Sequence, residues 1–162
     1  MKQALLFTLA AIALCGCASM QHDAAVAPAG FSKEMKVAFD ITDANPQVLI
    51  TKLTVIDLTR KQLIESGITP RMVLAFRGDA SYYTQTNLNL VKEADRADAL
   101  KIAAQLRALR KADGVEALEQ CNVPLASRKL KPADVMQEVQ VVPNGWISLV
   151  AYQQKGYAYI AP

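Results

Sequence analysis

The chain has 162 residues, 18 Lys plus Arg against 15 Asp plus Glu, one His and three Cys, and 52% of it is apolar. That share is too rich for a disordered protein and, beside 20% charged residues, too polar for one that crosses a bilayer many times. One ordinary domain fits the length, and the small positive excess is scattered with no basic stripe, so no nucleic-acid partner is expected.

The first 16 residues read as a targeting segment. Lys2 and the amino terminus supply a short positive region, and Ala4 to Leu14 is an apolar run of eleven broken only by Thr8. That is too short for a membrane span, which takes about 20 apolar residues. The boundary Leu14-Cys15-Gly16-Cys17 resembles a bacterial lipobox, with Leu at −3, a small residue at −1 and the acceptor Cys17 at +1. A plain secretory peptide cut near Ala18 is the rival reading. Acylated Cys17 would anchor the protein to the membrane, and with no Asp at 18 or 19 the expected address is the periplasmic face of an outer membrane. Residues 17–32 are small and Ala-rich, broken by Pro28 and Gly30, and form a flexible tether. His22 lies within it and is read as no metal ligand.

Residues 33–162 alternate strand-like and helix-like patterns. Lys36 to Thr42 is β-prone. Asn45-Pro46 then reads as an N-cap with proline in the first turn, and Leu49, Leu53, Ile56 and Leu63 recur with helical period up to Gly67. Met72 to Phe76 is the all-apolar run of a central parallel strand. Ser81 to Asn89 is read as a loop with a short strand at Tyr82-Tyr83. Asp95 is expected to cap a helix whose stripe is Ala99, Ile102, Ala103, Leu106 and Leu109, closed by Gly114. Val115 to Cys121 is the third strand candidate. Val139 to Val142 is β-prone, Asn144 caps a helix with Ile147, Val150, Ala151 and Gln154 on one face, and Tyr157 to Ile160 closes the chain as a strand. Asp40 and Asp43 are expected to cap the turn after the first strand. Three helices each ending in glycine before an extended segment predict an α/β fold, a mainly parallel sheet with helices on both faces. In such sheets ligands sit at the carboxyl ends of the strands. No GxGxxG, GxxxxGK[ST] or GxSxG is present, so no nucleotide cofactor and no serine-hydrolase chemistry is indicated.

Cysteine arithmetic is the sharpest functional signal. Cys15 leaves with the leader and Cys17 is consumed by lipid, so Cys121 is the one free thiol of the mature protein, and it does not make a zinc site with His22. It stands where a strand gives way to a helix start, and helix-terminal amides favour a thiolate. Arg77-Gly78, at the end of the central strand, would line the same cleft and offer positive charge to an anion. Trp146, Tyr152, Tyr157 and Tyr159 are read as core or subunit contacts.

These residues carry a family resemblance. Cys121, then Leu130 to Val135, then Val139 to Trp146 with its VVP strand, then the final Gly156-Tyr-Ala-Tyr-Ile160, resemble in this order the small stand-alone exported members of the DsrE/DsrF-like sulfur-relay family. The resemblance implies a three-layer α/β/α fold, assembly into homotrimers or hexamers, and a cysteine persulfide on Cys121, with Arg77, Gly78 and Asn122 beside the substrate. Asn122 stands where many relatives carry glycine. Two functions stay open. Cys121 either relays sulfane sulfur between unidentified donor and acceptor proteins, or is packed inside a non-catalytic envelope binding or assembly module. Redox sensing through an intermolecular Cys121 disulfide is a third. The aromatic-rich carboxyl tail gives a physical reason to expect a homo-oligomer, since edge strands and amphipathic rings favour interfaces.

Overall fold

A computed structural model describes residues 32–162, so the leader, Cys17 and the body of the tether lie outside the described residues. Five strands, β1 (Glu34–Ile41), β2 (Thr69–Phe76), β3 (Val115–Cys121), β4 (Gln140–Val142) and β5 (Ala158–Ile160), form one all-parallel sheet in the order β4-β3-β2-β1-β5. Helices α1 (Pro46–Glu65), α2 (Arg96–Arg110), α3 (Asn122–Ser127) and α4 (Gly145–Gln154) connect them. Among the described residues no helix is long and apolar enough to cross a membrane.

Alternation along each strand sets the layers. Val37, Phe39 and Ile41 of β1, Met72, Leu74 and Phe76 of β2 and Leu118 of β3 face one side. There they meet Leu49, Leu53 and Ile56 of α1 and Ile102, Leu106 and Leu109 of α2 in the large core. Burying each such side chain contributes about 1.5–3 kcal/mol, so this face holds most of the stability. Ala38, Val73 and Ala75 face the other side, where a smaller cluster with Leu149 and Tyr157 seats α4. The result is the three-layer α/β/α arrangement expected from the sequence. α1 and α2 carry the chain one way across the sheet on one face. α4 carries it back to the opposite edge on the other, the pairing that keeps crossovers of one hand.

The local signals work as read at α1, where the Asn45 side chain accepts from the amides of Gln47 (2.9 Å) and Val48 (3.2 Å). Gly114, at φ 85°, lets the chain enter β3 against Pro70, whose carbonyl would lie 2.8 Å from an added Cβ.

Four expectations are corrected. Tyr82-Tyr83 is no strand but part of a 3-10 turn, Gly78–Thr84, started by Gly78 at φ 54° and held inward by Tyr83 Oη donating to Ala44 O at 2.8 Å. Asp95 makes no side-chain cap, because a 3-10 turn at Glu93–Asp95 already precedes α2. Asp40 does not cap the first turn: it lies within β1 and is paired with Arg77, while Asp43 bonds Lys52 Nζ at 2.6 Å. In α4 the face of Ile147 and Val150 is the exposed one, at 69% and 52%, and Leu149 turns inward.

Candidate functional site

β3 ends at Cys121, and the extended backbone there (φ −65°, ψ 128°) makes Cys121 the residue before α3. Alternation puts Ala117, Glu119 and Cys121 on the α4 face and Leu118 and Gln120 on the other. Gln120 is fully buried, and its amide donates to Ser81 Oγ and to Cys121 O, each at 2.8 Å, while its Oε1 accepts from Thr84 Oγ1 at 2.7 Å. These bonds tie the end of β3 to the Gly78–Thr84 turn and fix the backbone that carries the thiol.

Cys121 is buried, 4% exposed, and its sulfur accepts a hydrogen bond from the amide of Gly145 at 3.1 Å. Gly145 is the first residue of α4, whose N-cap Asn144 accepts from Trp146 N at 3.0 Å. The amide that reaches the sulfur therefore comes from α4, 24 residues away in sequence, rather than from the helix that follows the cysteine. An N–H bond to sulfur strengthens when the sulfur carries charge. A side chain at 145 would crowd the site, because a Cβ there would lie 2.7 Å from Arg77 Cδ, 3.0 Å from Arg77 Cγ and 3.1 Å from Cys121 Cβ.

Arg77 leaves the end of β2 and folds over the same spot. Its Nε donates to Asp40 Oδ1 at 2.8 Å and its Nη2 to Oδ2, a bidentate pair in which both side chains are largely buried. Tyr159 Oη, from β5, donates to Asp40 Oδ2 at 2.7 Å, and this bond raises the Tyr159 pKa above its ordinary value. The Trp146 ring lies 5.4 Å from the Arg77 guanidinium carbon, a cation–π contact. Arg77, Gly78, Cys121, Val123, Arg128 and Trp146, with Pro124, Ser127 and Asn144, line a cleft of about 240 Å³ at the carboxyl ends of β2 and β3. Arg128 is held at the rim by Asp79, its Nε 2.8 Å from Oδ1.

Of the residues singled out in sequence, Arg77, Gly78 and Cys121 come together in this cleft, while Asn122 opens α3 and is not among its lining residues. Gly145 supplies the amide at the sulfur, and Trp146 and Arg128 join the lining. Asn144-Gly145 after a β-prone run was the available signal for the first, but only the return of α4 to β3 brings its amide to the sulfur. Behind the cysteine, the buried Glu119 accepts from Tyr152 Oη at 2.8 Å and from Ser148 Oγ, joining β3 to α4. Burial first, then the bond to Glu119, pushes the Tyr152 pKa far above that of a free phenol. The described residues hold no group of three or more His, Cys, Asp and Glu that could bind a metal.

The all-parallel sheet between two helical layers agrees with the comparisons. Residues 35–162 match the DsrE/DsrF-like family. The chain belongs to the DsrE/DsrF-like family. This DsrE-like chain is 28% identical over 130 residues to an uncharacterized protein of Aquifex aeolicus (strain VF5), a match spanning 80% of this chain and 57% of that relative. The chain thus spans just over half of the curated relative's length. The solved structure of MTH1491, a protein of unknown function from Methanobacterium thermoautotrophicum, is similar to the DsrE-like domain with a TM-score of 0.57 at 18% identity. That likeness covers 79% of this chain and 99% of that one, and it speaks to the fold alone.

Proposed function

We propose that this DsrE-like protein carries sulfane sulfur on Cys121 as a persulfide, in the cell envelope. The observation that supports it is the Gly145 amide on Cys121 Sγ at 3.1 Å, beside a cleft of about 240 Å³. The step needs no external oxidant. Cys121 thiolate attacks the outer sulfur of a donor persulfide R–S–SH, a new S–S bond forms as the donor's S–S bond breaks, and R–S⁻ leaves with the electron pair. An acceptor thiolate reverses the sequence. The sulfur atom moves with its oxidation state conserved, so no cofactor is required.

The envelope address rests on the lipobox-like Leu14-Cys15-Gly16-Cys17 and the tether that follows it. Metabolic labelling with an alkynyl fatty acid should mark the wild type and not Cys17→Ser. If both variants label equally, or neither does, the anchor at Cys17 is wrong.

A homotrimer or hexamer is proposed as the assembled form. Trp146 (67% exposed), Ile147 and Val150 on the outer side of α4, together with Tyr159 and Ile160 on the edge strand β5, leave apolar surface that an interface would cover. Tyr152 and Tyr157 pack internally and add nothing to it. Light scattering on the tether-free domain reads the mass, and a monomer at tens of micromolar rules the assembly out.

A second reading, a non-catalytic binding module with Cys121 packed, is favoured by the burial of that residue. Thiol titration of the native protein separates the two. Labelling of Cys121 at neutral pH without denaturant supports sulfur transfer, and labelling only after unfolding supports the module.

A further inference from the structure

We infer that the Cys121 cleft takes a small, carboxylate-bearing sulfur compound, with its sulfur at Cys121 Sγ and its acidic head at Arg128, rather than a cysteine presented by a protein chain. The inference rests on the sulfur-carrying reading and names the class of donor.

The charged side chains that line the cleft are basic, each paired with a carboxylate outside the lining. The lining contains two guanidinium groups, Arg77 and Arg128, and no carboxylate, because the counter-ions Asp40 and Asp79 are not among the lining residues. Asp40 engages Nε and Nη2 of Arg77, and Asp79 engages Nε and Nη2 of Arg128. Each pair takes one edge of the guanidinium and fixes its plane. Nη1 of Arg77 has no hydrogen-bond partner among the described residues, and Nη1 of Arg128 has only Ser127 Oγ at 3.3 Å. The planar fork of an arginine held in this way suits a carboxylate.

Size points the same way. The volume of about 240 Å³ falls below the ~300–1,000 Å³ of pockets that enclose drug-sized ligands. Val123, Pro124 and Trp146 supply an apolar wall for a short carbon chain, with the polar groups Ser127 and Asn144 among the other lining residues. A ligand with one sulfur end, a short apolar middle and one anionic end has a chemical partner for each part among these lining residues.

Iodoacetate and iodoacetamide test this directly, since they share a reactive carbon and differ in charge. The measured quantity is the ratio of their Cys121 alkylation rates in the native protein, divided by the same ratio in the unfolded chain. The normalised ratio should favour the anion by about fivefold, the factor supplied by one charge contact worth ~1 kcal/mol. Arg128→Gln should return it to about one. Asp79→Asn, which releases Arg128 from its counter-ion, should raise it above wild type. A normalised ratio of one in the native wild type, or one unchanged by both substitutions, overturns the inference while leaving rapid alkylation, and so the sulfur reading, intact. Failure of both reagents to reach native Cys121 overturns both together.

Discussion

Gly145 and Cys121 lie 24 residues apart in sequence and meet through a single hydrogen bond, amide nitrogen to sulfur, at 3.1 Å. The contact exists because β3 and α4 are adjacent on one sheet face and because nothing larger than hydrogen projects from residue 145. Substituting Gly145→Ala forces a methyl group against Arg77 and Cys121. Overpacking of this kind costs about 1–3 kcal/mol, and it should also push the amide away from the sulfur. A lower denaturant midpoint, with a changed rate of Cys121 alkylation below the transition, is the expected pair of results. An unchanged midpoint would mean the site has room that the geometry denies.

The Glu119 carboxylate holds α4 in place through Tyr152 and Ser148. Tyr152→Phe removes a hydrogen bond to a carboxylate, worth ~1.5–3 kcal/mol, and leaves the ring in position. Because α4 carries Gly145, the same variant should alter Cys121 reactivity without touching the cleft lining. A double-mutant cycle of Tyr152→Phe with Glu119→Gln measures the coupling, and additive losses would show that the two groups do not act together.

Asp40→Asn leaves Arg77 with a fork it cannot satisfy. One partner of a buried ion pair removed alone typically costs ~3–5 kcal/mol, and the low end is expected here because Arg77 keeps some contact with water. Trp146 is the sole tryptophan and lies over Arg77, so its fluorescence reports the loss of order at the cleft. A variant with wild-type stability and an unshifted emission spectrum contradicts the described role of the pair.

Alkaline pH should destabilise the domain through its buried phenols. Burial and then the bond to Glu116 push the Tyr157 pKa up to about 12 from an ordinary 10.0, and Tyr152 is raised as well. Between those values the unfolded chain has lost the phenolic proton and the folded one has kept it. Stability is therefore whole below pH 10 and falls as pH rises through the folded value. Tyr157→Phe should flatten the fall, measured as the denaturant midpoint against pH. An equal slope in the variant would assign the alkaline loss to other groups.

Much of this architecture was readable from spacing. The apolar run Met72 to Phe76, the helical stripes at Leu49-Leu53-Ile56 and Ile102-Leu106-Leu109, and the positive-φ glycines Gly67 and Gly156 just past α1 and α4 report local geometry, and the structure keeps them. Cys121 and Arg77-Gly78 were placed at strand ends by the same reasoning. The misread parts are those where polar groups decide. α4 rests on a sheet face that carries Asp40 and Glu119, so Ser148 and Tyr152 turn inward with Leu149 and the more apolar Ile147 and Val150 turn out, against the usual hydrophobic rule. Asp40 looked like a turn residue because its partner lies 37 positions away, and no local pattern encodes that pairing.

The most direct test of sulfur carriage is the intact mass of the native protein after exposure to a low-molecular-weight persulfide and removal of excess donor. Wild type should be heavier by one sulfur atom, reversibly by a thiol, and Cys121→Ser should keep its unmodified mass. Wild type without the added sulfur, or Cys121→Ser still carrying it, would contradict sulfur carriage on Cys121.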